Sequence, residues 1–255
     1  MATVRVLVLR AAGINCDEET LFAWETAGAK AERLHINRLL ESPGRLAEHQ
    51  ILTIPGGFSY GDDIASGKIL ANQLAHHLGE PLARFIDGGG LVLGICNGFQ
   101  VLVRLGLLPG MDCGVRATLT LNDSGRYEDR WVRLGTEAGH CAFLEKGEVL
   151  HLPVAHAEGK VAVEGDESGL AVLKTAGRVG LRYIAADGGE PTYPENPNGS
   201  IGNVAGLTDR TGRVFGLMPH PERNILPTHP PEWTRRTSIE NDGLRIFRRA
   251  VARCR

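Results

Sequence analysis

The sequence predicts an α/β fold, a mostly parallel sheet with helices on both faces and an added antiparallel β region. Three observations carry this prediction. Short apolar runs alternate with helix-length amphipathic stretches through the N-terminal part of the chain. Beyond Pro109 the runs become shorter, and several alternate polar with apolar residues. The chain closes on one more amphipathic stretch.

Taken in order, residues 4–9 read as a buried strand and residues 17–27 as a helix. Asn15 and the acidic Asp17, Glu18 and Glu19 mark the start of that helix, where a carboxylate meets the positive end of the dipole. Residues 31–36 and 51–54 read as strands. Ile64, Leu70, Leu74 and Leu78 set a helix over 64–78, continued over 80–87. Residues 90–95 form an apolar strand, and a helix follows from Phe99 to about Gly106. After Pro109, residues 115–121, 131–134, 149–154, 161–163 and 179–183 read as hairpin-rich β structure. Residues 203–207 and 214–218 flank a polar turn as a terminal hairpin. Residues 240–252 close the chain as a helix with Leu244, Phe247 and Val251 inward. With no repeat, low-complexity tract or linker, one domain over residues 1–255 is expected.

Composition narrows the function classes. Balancing 28 basic against 30 acidic residues, for a net charge of −2, gives no case for nucleic acid or an anionic membrane. No apolar run approaches the roughly 18 residues that span a bilayer. Five cysteines without paired spacing argue against a disulfide framework and for a reducing, cytoplasmic setting. Neither a CxxC pair nor a His-rich cluster suggests a metal.

The chemistry gathers at Gly94-Ile95-Cys96-Asn97-Gly98-Phe99-Gln100, where an apolar strand turns sharply into a helix. Glycines two residues either side of Cys96 permit the tight corner of a nucleophile elbow. The helix N-terminus there favours thiolate. With 33 Gly and 5 Cys in 255 residues, chance yields about 0.08 such Gly-x-Cys-x-Gly matches. The motif therefore takes its weight from its strand–turn–helix setting. A thiol nucleophile needs a base and a group that orients it. Met218-Pro219-His220-Pro221-Glu222-Arg223 supplies both, because in an extended chain His220 and Glu222 face the same way. Ile54-Pro55-Gly56-Gly57-Phe58 lies at a strand end, where the Gly57 N–H can approach a substrate. The Asn97 N–H is the second oxyanion donor expected. Three further stretches stand out as polar loops: residues 57–63 with Tyr60, residues 153–160 with His156, and residues 193–200 with Asn198.

In this order the motifs resemble the class I (triad-type) glutamine amidotransferases. Within them they are similar to the glutaminase subunits of phosphoribosylformylglycinamidine synthases, which serve de novo purine synthesis. The nucleophile motif carries the superfamily likeness. Gly56–Asp62, His156-Ala157-Glu158-Gly159, Asn196-Pro197-Asn198-Gly199-Ser200 and Met218–Arg223 carry the narrower one. The resemblance implies a flavodoxin-like three-layer sandwich and makes Cys96 the nucleophile, His220 the base and Glu222 its orienter. Gly57 and Asn97 would supply oxyanion N–H groups, and Gln100 would help hold L-glutamine. Tyr60, His156 and Asn198 would line the substrate or a partner interface. Ammonia would pass to a large synthetase subunit that uses ATP and Mg²⁺, with a small bridging subunit between them; this chain would bind no cofactor of its own. Asn15-Cys16-Asp17 also matches the family, placing Cys16 in a loop near the site without a chemical role. Two departures appear: Ala157 stands where glycine is expected, and the segment 229–240 is longer than in compact members. Competing readings are the glutaminase of another class I amidotransferase, a cysteine peptidase or deglycase on a related scaffold, and a non-catalytic regulatory homologue.

Overall fold

The computed structural model describes residues 3–235 and 241–255. Strand β1 (Arg5–Arg10) is followed by α1 (Asp17–Thr26) and β2 (Lys30–His35), which returns parallel to β1. A short helix α2 (Ile36–Glu41) leads to β3 (Ile51–Ile54), which lies on the other side of β1. Helix α3 (Lys68–Asp87) then crosses to β4 (Leu91–Ile95), and α4 (Asn97–Arg104) leaves it. The first crossover moves outward from β1 to β2, while the later one moves the opposite way, from β3 to β4. Right-handed crossovers therefore put α1 and α3 on opposite faces of the sheet.

The second half extends the same sheet. Strands β6 (Glu128–Thr136), β7 (Val149–His156), β9 (Val179–Tyr183), β10 (Val204–Thr208) and β11 (Val214–Leu217) complete a nine-stranded order β2-β1-β3-β4-β11-β10-β9-β6-β7. Pairing is parallel from β2 through β11 and antiparallel from β11 through β7. The separate pair β5 (Ala117–Thr120) and β8 (Lys160–Val163) flanks it. The expected antiparallel addition is thus mostly a continuation of the parallel sheet. Within it the structure places a helix, α5 (Asp166–Thr175), where only strands were expected. The last helix, α6 (Asp242–Arg253), packs on α1. Phe247 meets Trp24 edge-on at 4.7 Å between ring centroids, and the buried Trp24 indole donates to Thr53 Oγ1 at 2.9 Å.

Other boundaries also differ from expectation. The helix expected from residue 64 begins at Lys68, and Ile64 is 66% exposed in the preceding turn. That turn is held by Asp62, whose Oδ1 accepts the Gly67 N–H at 3.1 Å. Cys16, not Asn15, caps α1, and no side chain completes the cap. Residues 236–240, part of the long segment read at 229–240 and the first residue of the expected closing helix, lie outside the described residues.

Candidate active site

Four strands deliver residues to one edge: β1, β3, β4 and β11 run parallel and end together. Cys96 follows β4 with φ 51° and ψ −105°, a left-handed quadrant strained for a residue with a side chain. Its N–H donates to Leu217 O on β11 at 2.8 Å, and its carbonyl accepts the Gln100 N–H at 3.1 Å. Gly98 lies so close to β3 that a Cβ there would fall 1.9 Å from Ile54 O. Only glycine lets α4 start this tightly against its neighbour.

The chain leaving β11 carries His220, whose N–H donates to Pro153 O of β7 at 2.8 Å. The sheet's far strand therefore folds back to cover the site. Residues Pro221–Arg223 close into one 3₁₀ turn, where an extended chain was expected. The turn still brings Glu222 beside His220, with Oε1 2.5 Å from Nδ1. Both side chains are buried, and His220 Nε2 has no hydrogen-bond partner among the described residues. With Nδ1 committed to the carboxylate, Nε2 is the nitrogen left for a thiol or a leaving group. Burial alone would depress the imidazolium, but the Glu222 carboxylate and then the charge on Cys96 outweigh it. His220 is held well above its ordinary value.

Gly56 marks the point where these groups meet. From the position its Cβ would take, His220 Cε1 lies at 2.8 Å, Cys16 Sγ at 3.2 Å and Cys96 Cβ at 3.5 Å. The next residue, Gly57, has φ 145°, which side chains rarely allow. Asn97 opens α4, so its backbone N–H is among those without an intrahelical acceptor. Its side chain ties the elbow to the 57–63 loop. Nδ2 donates to Asp62 Oδ1 at 3.1 Å and to Gln100 Oε1 at 2.9 Å, while Oδ1 accepts the Ser59 N–H at 3.1 Å. A strained thiol, a carboxylate-anchored imidazole and a glycine loop at one sheet edge suit acyl transfer.

Comparison with known proteins gives the class. Residues 3–254 match the CobB/CobQ-like glutamine amidotransferase domain. The chain belongs to this family. Similar to this amidotransferase is phosphoribosylformylglycinamidine synthase subunit PurQ of Dehalococcoides mccartyi, 46% identical over 98% of each chain. The subunit of that name from Methanococcus maripaludis is 41% identical over 97% of this chain and 96% of its own. Among solved structures, PurLQS from Thermotoga maritima matches with a TM-score of 0.75 and 29% identity, covering all of both chains.

The other residues singled out in the sequence of this amidotransferase are buried or half-buried. His156 ends β7 and is nearly fully buried. Its Nδ1 lies 3.1 Å from Asn122 Oδ1, and since that oxygen can only accept, Nδ1 carries the proton and Nε2 is bare. Asn122 also accepts the Gly159 N–H at 3.0 Å and donates to His156 O at 2.8 Å. Gln100 Nε2 donates to Glu158 O at 2.7 Å, and Asn198 Nδ2 to Gly159 O at 2.8 Å. The 156–159 loop is therefore held from three sides. Both ends of the Gln100 amide are engaged within the protein. Asn198 has no exposed surface and His156 only 3%, so their side chains brace this loop from within. Tyr60 is half-buried and donates to Gln73 Oε1 at 2.7 Å.

Cys16, Arg223 and Tyr127 carried no chemical assignment from the sequence. Cys16 is buried with its thiol in the site, where Arg223 Nη2 donates to Sγ at 3.2 Å. Burial pushes that thiol up, while the neighbouring His220 acts the other way. Arg223 Nε also donates to Glu19 Oε1 at 3.0 Å. Cys16, Glu19, His220 and Glu222 bring donor atoms within 4.8 Å of one another, but the Arg223 guanidinium already supplies the positive charge there. Tyr127 is half exposed, and its phenol is pushed up by burial first and then by the charge on Cys96. The Asn15-Cys16-Asp17 likeness hinted at Cys16 and the Met218–Arg223 motif included Arg223, while nothing in the sequence pointed to Tyr127.

A stability prediction follows from His156, which burial and then the nearby His220 lower from 6.5 to about 3. The unfolded chain binds this proton below its ordinary value and the folded chain does not. Stability is therefore lost as pH falls below about 6.5, at up to ~1.4 kcal/mol per pH unit. His220, shifted upward, adds no slope in that window. Urea unfolding between about pH 6.5 and about pH 5 tests this: the slope is expected in the native chain and absent in His156→Gln. Equal slopes in both would refute it.

Proposed function

We propose that Cys96, His220 and Glu222 form the catalytic triad of a glutaminase, the glutaminase subunit of phosphoribosylformylglycinamidine synthase, acting as one amidotransferase domain over residues 1–255. The observation that carries the chemistry is the strained Cys96 beside a buried His220, with Nδ1 fixed by Glu222 and Nε2 bare. The near full-length likeness to PurQ subunits supports the choice of synthase.

In this reading Cys96 gives its proton to His220, and Sγ attacks the side-chain amide carbon of L-glutamine. The oxyanion is held by the Gly57 and Asn97 N–H groups, and His220 returns the proton to the departing ammonia. Water, deprotonated by His220, then hydrolyses the γ-glutamyl thioester to glutamate. Gln100 positions the substrate through the 156–159 loop that it braces. ATP and Mg²⁺ act in the large synthetase subunit, which turns formylglycinamide ribonucleotide into its amidine with the ammonia. A small third subunit bridges the two, and the assembly works in the cytoplasm. The absence of any membrane-length apolar helix among the described residues agrees with that setting.

Ammonia released without a synthetase is lost, so an oxyanion loop that completes only in the complex is favoured. The exposed Phe58 lies in the 57–63 loop and the exposed Ile64 follows it, and they offer the surface through which a partner acts. Loss of one oxyanion donor costs on the order of 10²–10³ in kcat. The isolated chain is expected to hydrolyse glutamine slowly, rising at least about tenfold when the large subunit and its nucleotide are added. Equal rates with and without the assembled partners would rule out the coupling. Failure of the large subunit to co-purify would rule out the choice of synthase.

A further inference from the structure

At the opposite end of the parallel strands lies a cleft of about 670 Å³ that the glutaminase reaction does not use. It is walled by the segments that enter β3, β4 and β11 and by the end of α6. Three arginines, Arg84, Arg213 and Arg253, and two histidines line it, and none of its lining residues is Asp or Glu. Arg84 is paired with Glu80, and buried His49 faces Glu32 at 2.9 Å. Arg213 and Arg253 form no ion pair among the described residues. Arg213 Nε donates only to Thr211 Oγ1, at 3.2 Å. Asp209, in the same turn, is already used by the Thr211 and Val214 N–H groups and the Thr211 hydroxyl. Buried Phe85 and Leu91 give the cleft an apolar floor.

We propose that this cleft binds a phosphorylated small molecule of nucleotide size, its phosphate on Arg213 and Arg253 and its uncharged part over Phe85 and Leu91. Two guanidinium groups without a carboxylate are an unbalanced charge that a phosphate satisfies with paired, charge-assisted hydrogen bonds. The volume falls within the ~300–1,000 Å³ range of small-molecule sites, and an apolar floor beside a few polar anchors is their usual make-up. A bare anion would fill only the polar side. The site is remote from Cys96 and does not depend on the choice of synthase.

Isothermal titration of the full chain tests this, with AMP as the probe and adenosine and inorganic phosphate as separate arms. AMP is expected to bind saturably, phosphate more weakly and adenosine hardly at all, with AMP binding weakened by added salt. The double variant Arg213→Ala/Arg253→Ala should weaken AMP at least about tenfold while its unliganded unfolding midpoint and glutaminase rate stay unchanged. No AMP binding, adenosine binding as tightly as AMP, or phosphate binding as tightly as AMP would each overturn the proposal. So would AMP binding that survives the double substitution.

Discussion

Cys96→Ala is expected to abolish glutamine hydrolysis, lowering kcat by roughly 10⁴-fold or more, while leaving the fold intact. The residue sits at a corner whose backbone is fixed independently of its thiol. Its N–H is held by Leu217 O, its carbonyl by the Gln100 N–H, and the packing of Gly98 on Ile54 sets the start of α4. Alanine keeps all three and removes one sulfur that donates a long hydrogen bond to Ala155 O at 3.7 Å. The thermal midpoint should therefore move little while glutamate production disappears. Substituting Cys113, Cys141 or Cys254, none of which approaches the triad, should spare turnover. Cys16, to which the sequence likeness gives no chemical role, stands apart from these through its contact with Arg223 and its place against Gly56. An alanine variant that forms glutamate at near the native rate would end the assignment of Cys96 as nucleophile.

The contrast between Cys96 and Cys16 shows which parts of the site the sequence could display. Cys96, His220 and Glu222 sit in short motifs with a recognisable local geometry: a glycine-flanked corner, and a His between two prolines with a Glu two residues on. Cys16, Arg223 and Asn122 matter only through neighbours brought close by the tertiary fold, and spacing along the chain carries no trace of such pairs. The fold divides in the same way. The inner parallel strands are largely continuous apolar runs and read plainly. Helix α5 was missed because Gly169 and Val172 weaken its helical propensity, although Asp166 and Glu167 in its first turn and Lys174 in its last were favourable signals. Gly169 is required there by packing, since a Cβ would lie 2.0 Å from Glu164 O. At residue 64 the apolar spacing of the following helix extended by coincidence into a turn that Asp62 holds.

His220→Ala should fall nearly as far as Cys96→Ala, and the double variant no further, because the members of a triad act as a unit. Glu222→Gln should be milder, by roughly 10²–10⁴-fold in kcat, since an amide can still orient the imidazole but brings no charge. Its more telling effect is on pH dependence. Burial opposes the imidazolium, and it is the Glu222 carboxylate, with Cys96, that keeps His220 protonated above its ordinary value. In the native enzyme the proton that His220 must deliver to ammonia is therefore retained into the alkaline range, and activity declines only as pH rises through the raised value. Removing the carboxylate lowers the imidazolium pKa, so the alkaline limb of kcat/KM should move to lower pH. Stability follows the same sign. The upward shift stabilises the native fold fully below about pH 6.5, and this contribution is lost as pH rises through the folded-state value. In Glu222→Gln that alkaline loss should shrink. Profiles of kcat/KM and urea midpoints at about pH 6 and about pH 9 would check both. An unmoved alkaline limb, or a glutamate variant more damaged than the histidine variant, would mean that Glu222 does not act through the charge of His220.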